Sequence, residues 1–315
     1  MKKVILGKSG IEVSKIGFGV LTVGASQLNL SVKEGAEVIK HALFKGINFL
    51  DTAQYYETYE YIKAALEDME ERPVICSKCL GHTYSDMKYA IEEALDALFL
   101  ENIDIFLMHE VRPFENRSGA FRALIEAKES GKVRAIGIST HHIDVVEEYA
   151  ENDDIDVIFP LINCDSLGIR KGDEAGTKEE MEAAIRKAHN KGIGIFSMKV
   201  FGGGHLTKKY REAMDYVFSL DCIDSVMMGF GKTEEVDRAI MYLDGTLEMN
   251  YAPDISEKRT YIEPGNCEGC GACVRRCPNM AMYIGIDGMA HVEHEKCLTC
   301  GYCAPVCPVR AIILL

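Results

Sequence analysis

The sequence predicts an α/β protein: a (β/α)8 TIM barrel over residues 1–245, a connector over 246–263 and a small α+β domain over 264–315. Three observations carry this reading. Short apolar runs alternate with amphipathic helical stretches, the strand candidates number eight after an opening hairpin, and a cysteine-dense repeat closes the chain. Eight strand–helix units in about 245 residues match the size of a closed parallel barrel.

The hairpin is expected from Val4–Leu6 and Ile11–Val13. The strand candidates are Ile16–Gly19, Ile47–Leu50, Val74–Ser77, Ile105–Met108, Ala135–Ile138, Val157–Phe159, Ile193–Ser197 and Ser225–Met228. Helical patterns fall between them at Ser31–Lys45, Ser85–Leu98, Arg117–Ser130, Lys178–Asn190 and Thr233–Leu243. Ser31 with Glu34 reads as a capping box, and Gly46, Gly131 and Gly192 stop helices before the next strand. An open doubly wound sheet is the alternative, but Gly17-Phe18-Gly19-Val20-Leu21-Thr22 lacks the third glycine of a dinucleotide turn. Residues 246–263 show no periodicity and contain Pro253, which suits a connector.

A net charge of −14 argues against a nucleic-acid partner, which would select a basic face. The module from Pro264 onward is neutral, with Arg275, Arg276, Lys296 and Arg310 balancing Glu268, Asp287, Glu293 and Glu295, so the excess lies on the barrel and connector. The start, Met1-Lys2-Lys3-Val4-Ile5-Leu6-Gly7, is too short in apolar residues for a signal peptide, and no run is long enough to span a membrane. A cytoplasmic location is expected. Twelve cysteines in a reducing compartment then point to metal or redox chemistry rather than disulfides.

Eight of those cysteines form two copies of one pattern. Cys267, Cys270, Cys273 and Cys277 precede Pro278, and Cys297, Cys300, Cys303 and Cys307 precede Pro308, each element displaced by 30 residues. A C-x-x-C-x-x-C loop places three thiolates on three corners of a cubane cluster, and the fourth cysteine, before proline, reaches the other cluster. One 4Fe-4S cluster is therefore expected on Cys267, Cys270, Cys273 and Cys307, and a second on Cys297, Cys300, Cys303 and Cys277. Four-cysteine zinc sites are the alternative, but zinc needs neither the third spaced cysteine nor the C-P ending twice. Gly269, Gly271, Ala272, Gly301 and Ala304 between the ligands would let backbone amides approach the sulfurs. Residues 264–315 resemble the bacterial two-cluster ferredoxins.

In a TIM barrel the working side chains project from the C-terminal ends of strands. The second strand ends in Asp51 with Tyr56 five residues on, the third in Lys78 and the fourth in His109. A tyrosine is a poor acid at neutral pH. An adjacent ammonium would stabilise its phenolate, Asp51 would hold Lys78, and His109 would orient a carbonyl oxygen. Singly each residue has a structural reading, as helix cap, surface charge, core histidine or packing ring; the ordered set is what signals a site.

This constellation resembles the catalytic tetrad of the aldo-keto reductases, and the resemblance covers about residues 1–245. It implies that Tyr56 protonates a carbonyl while NADP or NAD delivers or accepts hydride. It places the nucleotide across the barrel mouth, against Gly19, Ser139 and Asn163, then Met198 and Lys199, then Gly229, Gly231, Lys232 and Thr233. Several positions depart from the family pattern: Phe159 or Pro160 stands where a glutamine is usual, Met198 replaces a stacking tyrosine, and Thr140 follows Ser139. Glu234 and Glu235 beside Lys232 and Thr233 would repel a second phosphate. Cys76, Cys79, Cys164 and Cys222 read as buried small hydrophobes.

Nicotinamide exchanges two electrons as hydride and each cluster one, an exchange that normally needs a flavin between them. Two readings follow: a carbonyl reductase or alcohol dehydrogenase with structural or docking clusters, or an electron-transfer protein that relays electrons between a redox partner and a barrel-bound cofactor.

Overall fold

A computed structural model describes residues 1–67, 69–253, 259–304 and 306–314. β1 (Lys3–Ile5) and β2 (Glu12–Ser14) form the opening hairpin. The barrel follows as β3 (Ile16–Gly19), β4 (Phe49–Asp51), β5 (Val74–Cys79), β6 (Ile103–Met108), β7 (Val133–Thr140) and β8 (Val157–Pro160). A two-stranded excursion, β9 (Arg170–Lys171) with β10 (Glu174–Ala175), precedes β11 (Gly194–Ser197) and β12 (Ser225–Met228). The eight barrel strands are parallel in chain order, and β12 closes on β3.

The helices are α1 (Val32–Phe44), α2 (Tyr59–Leu66), α3 (Tyr84–Leu98), α4 (Ser118–Glu129), α5 (Ile143–Tyr149), α6 (Lys178–Asn190), α7 (Tyr210–Ser219) and α8 (Thr233–Leu243). The Ser31–Glu34 capping box opens α1, and matching boxes at Thr83 and Thr177 open α3 and α6. Helix α3 shows why these segments dock: Met87, Ala90, Ile91, Ala94, Leu95 and Leu98 are all buried, a stripe at helical spacing that faces the strands. The eight-unit reading gives no bounds for α2, α5 and α7; they run 8, 7 and 10 residues, two to three turns, too short for a firm period. Inside the barrel, Leu6, Ile11 and Val13 from the hairpin pack with Phe49 and Phe196 and plug the N-terminal end. The open end is the one at which the strands finish.

The C-terminal module consists of β13 (Thr260–Ile262), α9 (Ala272–Arg276), β14 (Met282–Ile284), β15 (Ala290–Val292) and β16 (Ile312–Leu314). β13 pairs with β16 and β14 with β15, both antiparallel. The last part of the 246–263 segment is thus a strand of the module, because Thr260–Ile262 finds its partner 50 residues on, a pairing no local period reveals. Residues 254–258 of that segment lie outside the described residues. Among the described residues no helix is long and apolar enough to cross a membrane.

Candidate active site

Asp51 ends β4, Lys78 lies near the end of β5, and His109 follows β6, so three neighbouring strands deliver three polar side chains to one mouth. Tyr56 arrives on the short 3-10 turn Gln54–Tyr56 that leaves β4. All four line one cavity of about 200 Å3. Lys78 Nζ donates to Asp51 Oδ1 at 2.7 Å and to the Thr52 carbonyl at 2.6 Å, and stands 4.8 Å from the centroid of the Tyr56 ring. Lys78 and His109 are each 1% exposed, Asp51 4% and Tyr56 7%, so the group works in a medium where charges act strongly.

Burial pushes the Asp51 carboxyl up, against the pull of the Lys78 ammonium. His109 is driven well below the usual histidine value, first by burial and then by Lys78 and Arg276, so its ring is neutral. The phenol of Tyr56 is pushed well above its ordinary value of 10.0, first by burial and then by the Asp51 charge. The sequence reading expected the Lys78 ammonium to lower it. In the closed cavity desolvation outweighs that effect, and Tyr56 rests as a protonated donor.

The C-terminal module forms the far wall of the cavity. Tyr302 Oη lies 2.9 Å from His109 Nε2, while Tyr56 Oη lies 3.4 Å from the same nitrogen. Tyr302 therefore holds the face of His109 that the sequence reading reserved for a carbonyl oxygen. Leu298 and Thr299, from the same cysteine loop, also line the cavity. The docking is anchored on both sides: Gln27 Nε2 donates to the Thr299 carbonyl at 3.0 Å, Thr299 Oγ1 to the Gly203 carbonyl at 2.9 Å, and Tyr55 Oη to the Gly301 carbonyl at 3.1 Å. Arg276 reaches the buried Glu110 carboxylate at 2.5 Å, and Arg112 caps α9 through the carbonyls of Arg275 and Arg276.

The nucleotide positions divide. Gly19, Met198, Lys199 and Gly229 line the cavity. Ser139 and Asn163 do not: Ser139 Oγ accepts the Glu110 amide, and the buried Asn163 amide ties its own loop through Asp165 and Leu167. Gly231 gives its amide to Glu235 Oε2 at 2.7 Å, Lys232 is the N-cap of α8, and Thr233 Oγ1 contacts Glu234. Phe159 lines the cavity and stacks on Phe196 at 4.3 Å.

In the module, Cys267, Cys270, Cys273 and Cys307 surround one small cavity of about 20 Å3. Cys277 falls instead among Cys297, Cys300 and Cys303: burial pushes the Cys300 and Cys303 thiols up, and the nearby Cys277 and Cys297 sulfurs push them further. Backbone amides of Ala281, Ala290 and Ala311 donate to the sulfurs of Cys277, Cys267 and Cys307 at 3.2–3.3 Å. Gly269 has φ +64°, and a Cβ there would lie 2.0 Å from the Gly288 carbonyl, so only glycine lets that loop close. Four converging thiols with amide donors fit a cubane cluster in each group. Cys270 is exposed, whereas Cys303 beside the barrel mouth is buried.

Sequence reasoning missed Tyr302. The signal was present in the repeat: a 30-residue offset sets Tyr302 against Ala272, so the second cysteine loop carries a phenol where the first has a methyl group.

The 4Fe-4S dicluster domain pattern matches residues 259–308. An aldo-keto reductase from Pseudomonas aeruginosa described as putative superposes with a TM-score of 0.66 at 21% identity, covering 78% of this chain and 96% of that one. One from Bacillus halodurans superposes with a TM-score of 0.64 at 20% identity, covering 79% and 93%. In sequence, a probable aldo-keto reductase of Glycine max is 32% identical over 165 residues, 46% of this chain and 47% of its own length. The glyoxal reductase of Bacillus subtilis is 27% identical over 169 residues, 52% and 57%. The chain thus spans about half the length of these curated relatives. The aldo/keto reductase family pattern matches residues 15–247, so the chain belongs to the aldo/keto reductase family.

Proposed function

We propose that this chain interconverts a small carbonyl compound and its alcohol with NAD(P)H, using Tyr56 as the proton donor. The observation that carries this reading is the buried set of Asp51, Lys78, Tyr56 and His109, facing one cavity from three consecutive strands. Lys78, fixed by Asp51 and the Thr52 carbonyl, holds its charge near the ring that would become a phenolate. Neutral His109 adds no charge to the site, and its cavity-facing Nε2 is taken by the Tyr302 hydroxyl at 2.9 Å. A bound nicotinamide nucleotide supplies the hydride. Gly19, Met198, Lys199 and Gly229 are the residues placed to hold it, and the Glu235 carboxylate on the Gly231 amide favours NAD over NADP there. Small aldehydes are the substrate class suggested by the cavity and by the relative named glyoxal reductase.

The division at 1–245, 246–263 and 264–315 serves this reading, with the strand at Thr260–Ile262 lent to the module. Two 4Fe-4S clusters are assigned, one to Cys267, Cys270, Cys273 and Cys307 and the other to Cys297, Cys300, Cys303 and Cys277. One observation favours an electron-transfer reading beside the first: Leu298, Thr299 and Tyr302 bring the inner cysteine loop to the cavity wall, while Cys270 leaves the outer group open to a redox partner. Anaerobic mixing with NADH, then NADPH, with and without small aldehydes, separates the two. Aldehyde-dependent nucleotide oxidation with unchanged cluster absorbance supports the reductase. Cluster bleaching by nucleotide alone overturns it in favour of electron transfer.

A further inference from the structure

The cavity wall supplied by the module bears a hydroxyl that the tetrad does not include. We infer that Tyr302 is a fifth catalytic residue, donating a hydrogen bond to the substrate oxygen beside Tyr56. This rests on the carbonyl-reductase reading above.

Neutral His109 has one ring proton. With Nε2 as the donor, its partner at 2.9 Å is the Tyr302 oxygen. The Tyr302 O–H is then left over for the cavity, and the Tyr56 hydroxyl stands beside it, 3.4 Å from the same His109 nitrogen. An oxygen entering from the cavity meets two phenols side by side, both on the cavity wall. Tyr302 stands between that oxygen and His109, so the orienting role of the histidine passes through the second phenol.

Tyr302 is also fixed. Its ring lies between His109, with centroids 5.4 Å apart, and Tyr55, at 5.8 Å, under the Arg276 guanidinium at 4.9 Å. The backbone on its N-terminal side is tied to the barrel through Gly301 and Thr299. Tyr302 is 4% exposed, and any carbonyl that reaches Tyr56 meets it in place. A preorganised donor aimed where negative charge develops stabilises the transition state more than the ground state. In the step itself, hydride adds to the carbonyl carbon, the carbon–oxygen π bond becomes a C–O− lone pair, and Tyr56 gives up its proton to that oxygen. Tyr302 keeps its own proton throughout. The inner cysteine loop thereby acquires a reason to sit at the barrel mouth, since the donor lies on it between Cys300 and Cys303.

The test is Tyr302→Phe in the full-length, cluster-loaded chain, which keeps the ring and its packing, compared with wild type and Tyr56→Phe on an aldehyde panel with NADH. Loss of one such donor predicts a fall in kcat of about 100- to 1,000-fold with KM changed by less than about threefold. Visible cluster absorbance should be unchanged. A double variant with His109→Gln should lose little more than Tyr302→Phe alone, because the two act in series. Unchanged or increased kcat in Tyr302→Phe, with Tyr56→Phe inactive, overturns the inference and leaves the reductase reading standing; Tyr302 would then only fill the carbonyl site. Absence of Tyr56-dependent turnover in the wild type overturns both.

Discussion

Tyr302 Oη and His109 Nε2 are 2.9 Å apart across 193 residues of sequence, one on a cysteine loop and the other at a barrel strand end. This contact joins barrel and module at the cavity: Leu298, Thr299 and Tyr302 of the second cysteine loop line the same wall as Tyr56 and His109.

The Asp51–Lys78 pair is buried almost completely, with side chains 6% and 1% exposed. Asp51→Asn keeps the shape but strands an ammonium beside an amide. Removing one partner of a buried pair costs about 3–5 kcal/mol. The urea midpoint of the variant should fall accordingly, and a midpoint equal to wild type would show that the pair is not buried as described.

Arg276 and Glu110 join module to barrel, and Glu110 is only 1% exposed. Arg276→Met leaves the carboxylate with Arg112 at 2.8 Å, so the loss should be that of one charged hydrogen bond, about 1.5–3 kcal/mol. Looser docking should expose the inner cysteine group, and cluster absorbance should decay faster in air than in wild type.

Acid should destabilise the barrel. His109 and His141 lie well below the normal histidine value through burial, and His142 is lowered to about 4. In the unfolded chain each takes up a proton near pH 6.5. Between that value and the folded one the unfolded state binds more protons, so stability falls as pH falls, and the slope flattens below the folded values. Three such groups give about 4 kcal/mol per pH unit at the steepest. Both ring nitrogens of buried His141 lack a partner among the described residues, so His141→Phe should remove one proton from the slope of urea stability against pH.

The module's core is small: Ile262, Met282, Ala290, Ala311 and Ile312 around the cysteines. Clusters held there would act as its staples. Oxidative removal of iron with a chelator should raise hydrogen exchange in β14 and β15 to near the unfolded rate, while β6 and β7 stay protected. Retained protection in the module would contradict this.

Much of this was legible in the chain. Strands at Ile16–Gly19 and Ser225–Met228 and helices at Lys178–Asn190 and Thr233–Leu243 fall where the pattern put them, because burial on both strand faces leaves a short apolar run and burial on one helix face leaves a helical period. Asp51, Lys78 and His109 could be read because strand ends in a barrel converge by topology. Ser139 and Asn163 are absent from the cavity lining, because a family position does not tell whether a polar side chain is spent elsewhere, Ser139 on the Glu110 amide and Asn163 on its own loop. Tyr302 stands out in the repeat only as a phenol opposite Ala272, and its place on the cavity wall comes from the docking of one domain on another, which no local period records. The raised phenol of Tyr56 comes first from its burial and then from Asp51, and burial is a tertiary property that no local pattern states.

In the proposed reaction Tyr56 gives its proton to a substrate oxygen in a cavity lined by both barrel and module. The most direct measurement is anaerobic aldehyde-dependent NADH oxidation by the full-length, cluster-loaded chain, wild type against Tyr56→Phe. Turnover in the wild type that falls at least about 100-fold in the variant, with cluster absorbance equal in both, is the predicted result. Equal turnover in the two proteins would contradict the account.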